Sequence, residues 1–285
     1  MIDSDAPSVG HRPAPSSATG ALDKMTAALG DGLVEYRLPV GEAELPIGPG
    51  RRLRLRAHGE VHCLACGRVS KKSYSQGHCY PCSQRLARCD LCIVRPETCH
   101  FQAGTCREPD WAQAHCFTDH VVYLANASGL KVGITRASQI PTRWIDQGAV
   151  QALPILHARD RHAAGLAEVA LKAHVADRTD WRAMLRADPE PRDLAAEAAR
   201  LLDLAAEALA PLRDEGAVGP VEGARETQIR YPVARHPEKV RPLNLDKTPE
   251  IAGEILGIKG QYLILEAGVL NIRKFGGYFV DVEID

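Results

Sequence analysis

Apolar and polar residues alternate with a period of two over Leu33–Val40, Ala43–Ile47 and Arg52–Ala57, and glycine or proline separates the runs. Such alternation predicts half-buried strands, here spanning residues 31–60. In the third run Leu53 and Leu55 point inward, while Arg52, Arg54 and Arg56 share the outer face. That face is either a solvated surface or a stripe of guanidinium groups able to follow a polyanion. Further on, residues 121–158 read strand, turn, strand, helix, strand. Val122 and Leu124 face one way and Tyr123 the other, and across a turn at Asn126–Gly129 Tyr123 and Lys131 fall on one face of a hairpin. Pro141 and Gly148 bracket a short helix, 139–147, which carries Arg143. Leu153–Ala158 follows as a third strand.

From His162 to Val175 the period lengthens to that of a helix, with Leu166, Val169, Ala170 and Ala173 on its apolar stripe. Glu168 and Lys172 stand one turn apart on this helix, a spacing that suits an exposed ion pair as well as a functional carboxylate. Thr179 is placed to cap the next helix, and Trp181 reads as a packing anchor. Arg192–Leu212 is a long amphipathic scaffolding helix. Between Ile251 and Ile284 four short strands separated by glycine turns predict a small barrel or curled sheet. Four strands make a thin core, so pairing with the N-terminal strands is expected.

The overall prediction is an α+β chain. Its parts are a tail (1–20), N-terminal strands (31–60), a cysteine-rich region (61–120), a central domain (121–188), a scaffolding helix (190–215) and a β-rich C-terminal region (224–285). A length of 285 residues suits two or three domains. Residues 1–20, rich in Ser, Pro, Ala and Gly, predict a disordered tail. No apolar run approaches the roughly 18 residues of a spanning helix, and the N-terminus lacks a signal-peptide pattern, so a cytoplasmic protein without a membrane segment is expected. Formal net charge is −1, which excludes a global basic field as the basis of nucleic-acid binding.

Cysteine changes the picture most. All nine cysteines lie between Cys63 and Cys116, and their packing into CxxC pairs favours metal ligation over disulfides. Cys63, Cys66, Cys79 and Cys82 form two knuckles separated by twelve residues, the pattern of a tetrahedral zinc site. Cys89, Cys92, Cys99 and Cys106 make the compact choice for a second site, since short loops close at least entropic cost. Cys116, His100, His115 or His120 could substitute for one of them. Zinc is preferred there, and an iron–sulfur cluster is the alternative. Basic residues outnumber acidic ones between Arg51 and His120, but two four-cysteine zinc sites of about −2 each would cancel most of that excess.

The segment Val121-Val-Tyr, Lys131-Val-Gly-Ile-Thr, Arg143-Trp and Glu168 resembles the GIY-YIG nuclease domain. That resemblance implies a three-stranded sheet with flanking helices. Tyr123 matches the tyrosine of the first motif, Gly133 the glycine of the second, Arg143 the helix arginine and Glu168 the metal-binding glutamate. Val121 and Val122 replace the usual Gly-Ile, and Lys131 stands at the second tyrosine, as in some restriction-enzyme-like branches. The implied catalytic set is Tyr123, Lys131, Arg143 and Glu168. Glu168 would hold Mg2+ or Mn2+, Tyr123 or Lys131 would deprotonate water, and Arg143, with Arg136, would stabilise the phosphorane charge.

The wider chain resembles an uncharacterised bacterial family, domain of unknown function 2797. The matching stretches include Gly77-His-Cys-Tyr80, Pro96-Glu-Thr-Cys-His100, Lys131-Val-Gly-Ile-Thr-Arg136 and Gly257-Ile-Lys-Gly-Gln-Tyr262. The function expected is a zinc-containing protein that engages RNA or DNA, as a divalent-metal-dependent nuclease acting on structured nucleic acid. The alternatives are a binding protein on the same scaffold without cleavage, and a zinc-stabilised interaction module.

Overall fold

The Arg-Leu alternation extends into a long strand, Arg52–His62, in which Leu53 and Leu55 are buried and the arginines exposed. In the computed structural model, which describes residues 16–175 and 180–285, this strand lies between two C-terminal strands, Tyr278–Ile284 and Glu250–Lys259. Leu55 is opposite Val282 on one side and Ile251 on the other, so the three side chains join one core. The sheet continues outward to Ser17–Ala21 at one end and through Tyr262–Leu265 to Gly268–Asn271 at the other. Among the described residues it is an open path and not the expected barrel.

Ser17–Ala21 corrects the expected tail: these residues pair antiparallel with Tyr278–Ile284 from Ser17↔Glu283 to Ala21↔Phe279. The small residues that suggested disorder serve close packing, because a Cβ on Gly20 would lie 2.6 Å from the Gly41 Cα. Residues 1–15 fall outside the described part of the chain. The arginine stripe belongs to the protein's own charge pattern. Arg56 is opposite Glu250 and Asp281, Arg54 is opposite Glu283, and Arg54 reaches Glu250 at 2.9 Å. A face so neutralised is solvated surface, not a phosphate track.

Leu33–Val40, with Thr26–Gly30 and Ala43–Ile47, forms a small antiparallel sheet whose inner residues Val34, Tyr36, Leu38 and Leu45 join the same core. The third sheet runs Val218–Gly219, Gln151–Ala158, His120–Asn126, Leu130–Arg136, with Thr227–Gln228 also paired to Gln151–Ala158, so two short strands from beyond residue 188 extend the three expected. Its hairpin puts Tyr123 opposite Gly133 and Ala125 opposite Lys131. Val122, Leu124, Val132 and Ile134 pack with Ala163, Ala164, Ala167 and Leu171 of the helix Arg161–Lys172, whereas Tyr123 and Ala125 pack with Trp144 and Ile145 of the helix Thr142–Asp146. Leu130–Arg136 is therefore an edge strand flanked on its two faces by the helices that carry Arg143 and Glu168.

Three helix expectations change. Leu166 and Val169, expected on the apolar stripe, are exposed, and the face of Arg161–Lys172 that packs is Ala163, Ala164, Ala167 and Leu171. The single helix over 192–212 is two, Leu194–Leu204 and Ala206–Asp214, divided at Ala205, whose φ of −95° and ψ of 6° leave helical geometry. Thr179 lies outside the described residues; Asp180 accepts from the Arg182 and Ala183 N–H groups and caps Trp181–Arg186. Trp181 stacks on Tyr262 at 5.4 Å, tying the helix Trp181–Arg186 to the C-terminal strands. The cysteine-rich segment docks on the helix of Glu168 through Pro96, so closely that a Cβ on Gly165 would lie 2.5 Å from the Pro96 Cβ.

Candidate functional site

The two knuckles meet. One sulfur from each of Cys63, Cys66, Cys79 and Cys82 lies within 4.8 Å of all the others, and the Cys66 and Cys79 sulfurs are 3.7 Å apart. A tetrahedron with zinc–sulfur bonds of about 2.3 Å has edges of about 3.8 Å. Burial opposes ionisation of Cys63, but backbone N–H groups of Cys79, Ala65 and Cys66 outweigh it and bring the thiol down to about 6. Cys82 is pushed up to about 12, first by the Cys66 sulfur and then by burial. Four thiols in this space compete for protons, and a divalent cation is what lets all four ionise. The cluster fits a structural zinc ion.

The second set does not gather as expected. Asp90 is extended (φ −73°, ψ 155°) between two 3-10 turns, Ala87–Cys89 and Leu91–Ile93, and it sends the flanking cysteines apart. Cys89 packs beside Cys63, Cys79 and Cys82. Among the described residues the compact group is Asp90, Cys92 and His100. Burial, followed by the charges of Asp90, Cys99, Cys116 and Cys106, pushes the Cys92 thiol up to about 11. Asp90 also pairs with Arg107 at 2.6 Å.

A cleft of about 540 Å³ wraps the edge strand. Lys131, Arg143 and Glu168 line it, Arg143 from one side of the strand and Glu168 from the other. Lys24, Arg136, Arg161, Lys172 and Arg273 also line it, making seven cationic side chains against two carboxylates, Asp146 and Glu168. Burial lowers the Arg161 and Arg273 guanidinium pKa values, and the Arg143 charge lowers both further. Arg143 is thus the centre of a crowded group of cations, a crowding that a bound anion would relieve.

Tyr123, the fourth expected member, is not in the open cleft. It is fully buried under Gly133, with Oη donating to the Gln147 Oε1 at 2.8 Å and the ring edge-on to Trp144. Burial pushes its phenol up to about 12 against the lowering effect of Arg143. Its place is structural support beneath the cleft, not that of a solvent-facing base. A Cβ on Gly133 would lie 2.7 Å from the Tyr123 Cζ and Oη. Gly133→Ala is expected to cost about 1–3 kcal/mol by overpacking, measured by urea unfolding. Tyr123→Leu makes room, so the same glycine substitution in that background should cost less; equal costs would show that the contact does not matter.

Glu168 Oε1 is 3.1 Å from the Lys172 Nζ, the ion pair anticipated from their spacing. Asp146 is held by Lys24 at 3.1 Å and by the Gln261 amide at 2.9 Å. Both carboxylates are engaged, cations surround them, and no three ligand side chains gather here among the described residues. Lys24 and Arg273, which come from remote parts of the chain, carry no local sequence signal, and Arg161 stands one residue before the predicted helix start at His162.

Fold and site define a mixed α+β protein with a zinc-type cluster of four cysteines and a cationic cleft at a sheet edge. Residues 50–280 match the family described as protein of unknown function DUF2797, and the chain belongs to that family. No curated protein matches it, and neither does any solved structure. Among the described residues no helix is long and apolar enough to cross a membrane.

Proposed function

We propose that this chain is a zinc-braced, nucleic-acid-interacting protein whose edge-strand cleft grips the phosphodiester backbone. The observation that carries this reading is the excess of cationic side chains around Arg143 in a chain whose formal net charge is only −1. Local cation density of this kind is what phosphate contacts require. Cysteines arranged for metal binding suit a reducing, cytoplasmic setting. A second zinc ion is assigned to Cys92, Cys99 and Cys106, with Cys116 taking the place expected of Cys89. Supporting this, Cys89 packs beside the first cluster, while Cys99, Cys106 and Cys116 lie close enough for their charges to act on Cys92. Elemental analysis should find two zinc ions per chain, with Cys116→Ser losing one and Cys89→Ser none; iron, or a single zinc, would overturn the assignment.

The backbone reading is tested by fluorescence anisotropy with labelled RNA and DNA. Arg143→Glu is expected to weaken binding at least tenfold, and wild-type affinity should fall steeply with salt. No binding to either polymer, or equal binding by the variant, would sink it in favour of a protein-interaction module.

A second reading, cleavage by a GIY-YIG-type site, is favoured by the Tyr123–Gly133 pairing and by Arg143 and Glu168 flanking the same edge strand. In that reading Arg143 neutralises charge on the attacked phosphate, Lys131 accepts the proton, and Tyr123 supports the floor through Gln147. Glu168 must exchange its Lys172 partner before it can serve. The assay is cleavage of labelled RNA and DNA with added Mg2+ or Mn2+. Glu168→Ala should abolish cleavage; intact substrate with wild type, or equal rates with the variant, removes the nuclease.

A further inference from the structure

A second recess, of about 290 Å³, adjoins the edge-strand cleft. The two share Lys24 and Arg273 in their linings, so the surface continues from one to the other across two cationic side chains. The far wall of the recess is the first zinc knuckle itself. Leu64, inside the Cys63–Cys66 pair, is 37% exposed there, a large apolar side chain at the surface. Ser75 and Gln76 come from the turn between the knuckles, and both take left-handed backbone angles (φ 45° and 58°). That conformation is uncommon for residues other than glycine, and it is held in place from both sides. The Ser73 hydroxyl donates to the Gly276 carbonyl and accepts from the Gly77 N–H at 2.7 Å, and the Leu64 N–H donates to the Gly77 carbonyl at 2.8 Å.

Gln76 Oε1 accepts from the Arg273 Nε at 2.7 Å, which aims the shared guanidinium along the junction. Arg88 adds a further exposed cation, against a single carboxylate, Asp23. An apolar side chain, amide and hydroxyl groups and a nearby row of cations is the combination that suits a nucleotide, with a base to pack and a phosphate to neutralise. A recess this small is at the low end of ligand-pocket size. It admits one unstacked nucleotide and excludes a duplex.

We propose that a single polynucleotide strand seated in the edge-strand cleft continues across Lys24 and Arg273 into the recess against the first zinc knuckle, where Leu64, Gln76 and Arg88 hold one nucleotide. This rests on the backbone reading of the cleft and gives it a direction: the knuckle contacts the nucleotides to one side of those at Arg143.

The test uses the full zinc-loaded chain and fluorescence anisotropy with labelled single-stranded RNA and DNA of two to eight nucleotides, compared with a duplex. Affinity should rise at least tenfold between the dinucleotide and the six-nucleotide strand. Arg88→Glu, an exposed position checked for unchanged zinc content, should lower six-nucleotide binding about tenfold, leave dinucleotide binding alone and reduce the salt slope by about one. Leu64→Ala should give the same length-dependent loss. Length-independent affinity, a duplex preference or wild-type behaviour of Arg88→Glu, with Arg143→Glu still defective, overturns the path and leaves the cleft reading intact. Absence of binding at every length overturns both.

Discussion

Cys79→Ser is expected to release the zinc of the first knuckle and unfold the region built on it. Cys79 is buried, supplies one of four converging sulfurs, and immediately precedes the short helix Tyr80–Arg85, where its carbonyl accepts from the Ser83 N–H at 2.9 Å. Structural zinc contributes an apparent ~10–16 kcal/mol to small domains that depend on it, which equals or exceeds the net stability of most folded proteins, ~5–15 kcal/mol. The surrounding apolar cluster, little more than Leu86 and the cysteines themselves, cannot replace that contribution. The loss should also spread, because the His62 N–H, next to Cys63, donates to the Gly277 carbonyl, joining the knuckle to the entry of the Tyr278–Ile284 strand. Elemental analysis should show one zinc equivalent fewer. Thermal unfolding followed by circular dichroism should begin at markedly lower temperature, and chelator treatment of the wild type should reproduce the change. Full zinc content with an unshifted transition would mean that these sulfurs do not hold the ion.

What the sequence made legible was local. The shared face of Tyr123 and Lys131 follows from period-two alternation on either side of a turn, although Asn126 pairs with Leu130 and the loop is only Ala127–Gly129, which sets Tyr123 opposite Gly133; the Cys63–Cys82 spacing carries its geometry with it. The pairing of Arg52–His62 with C-terminal strands was readable too, as a shortage of core in each part alone. The failures share a cause, since each depended on contacts from distant segments or on a single backbone angle. Tyr123 reads as a polar residue on an open face until the helix Thr142–Asp146 brings Trp144 and Gln147 over it. Lys24 and Arg273 enter the cleft only when the large sheet closes against the central one. Cys89 packs beside the first cluster, and the extended backbone of Asp90 separates it from Cys92, an angle that loop lengths alone do not carry.

Acid sensitivity should trace in large part to His120, at the junction between the cysteine-rich region and the central sheet. Its side chain is fully buried, and Nδ1 donates to the Thr118 carbonyl at 2.7 Å, which leaves Nε2 as a bare lone pair without a partner. Burial, with the charges of Arg161 and Arg136, pulls the imidazole from 6.5 down to about 4, against the opposing effects of the Thr118 carbonyl and Asp160. Protonation would place a second N–H in a site with no acceptor and two nearby cations. Because the folded value lies below the unfolded one, the unfolded chain binds the extra proton first. Stability is therefore complete above about pH 6.5 and is lost as pH falls toward 4, by roughly 3 kcal/mol over that interval. His120→Asn can keep the bond to Thr118 and cannot titrate. Urea unfolding of both proteins at pH 7, 6 and 5 separates this contribution from protonation of the cysteine cluster, which is common to the two. The wild-type curve should fall more steeply than that of the variant; parallel curves would place the acid sensitivity elsewhere in the molecule.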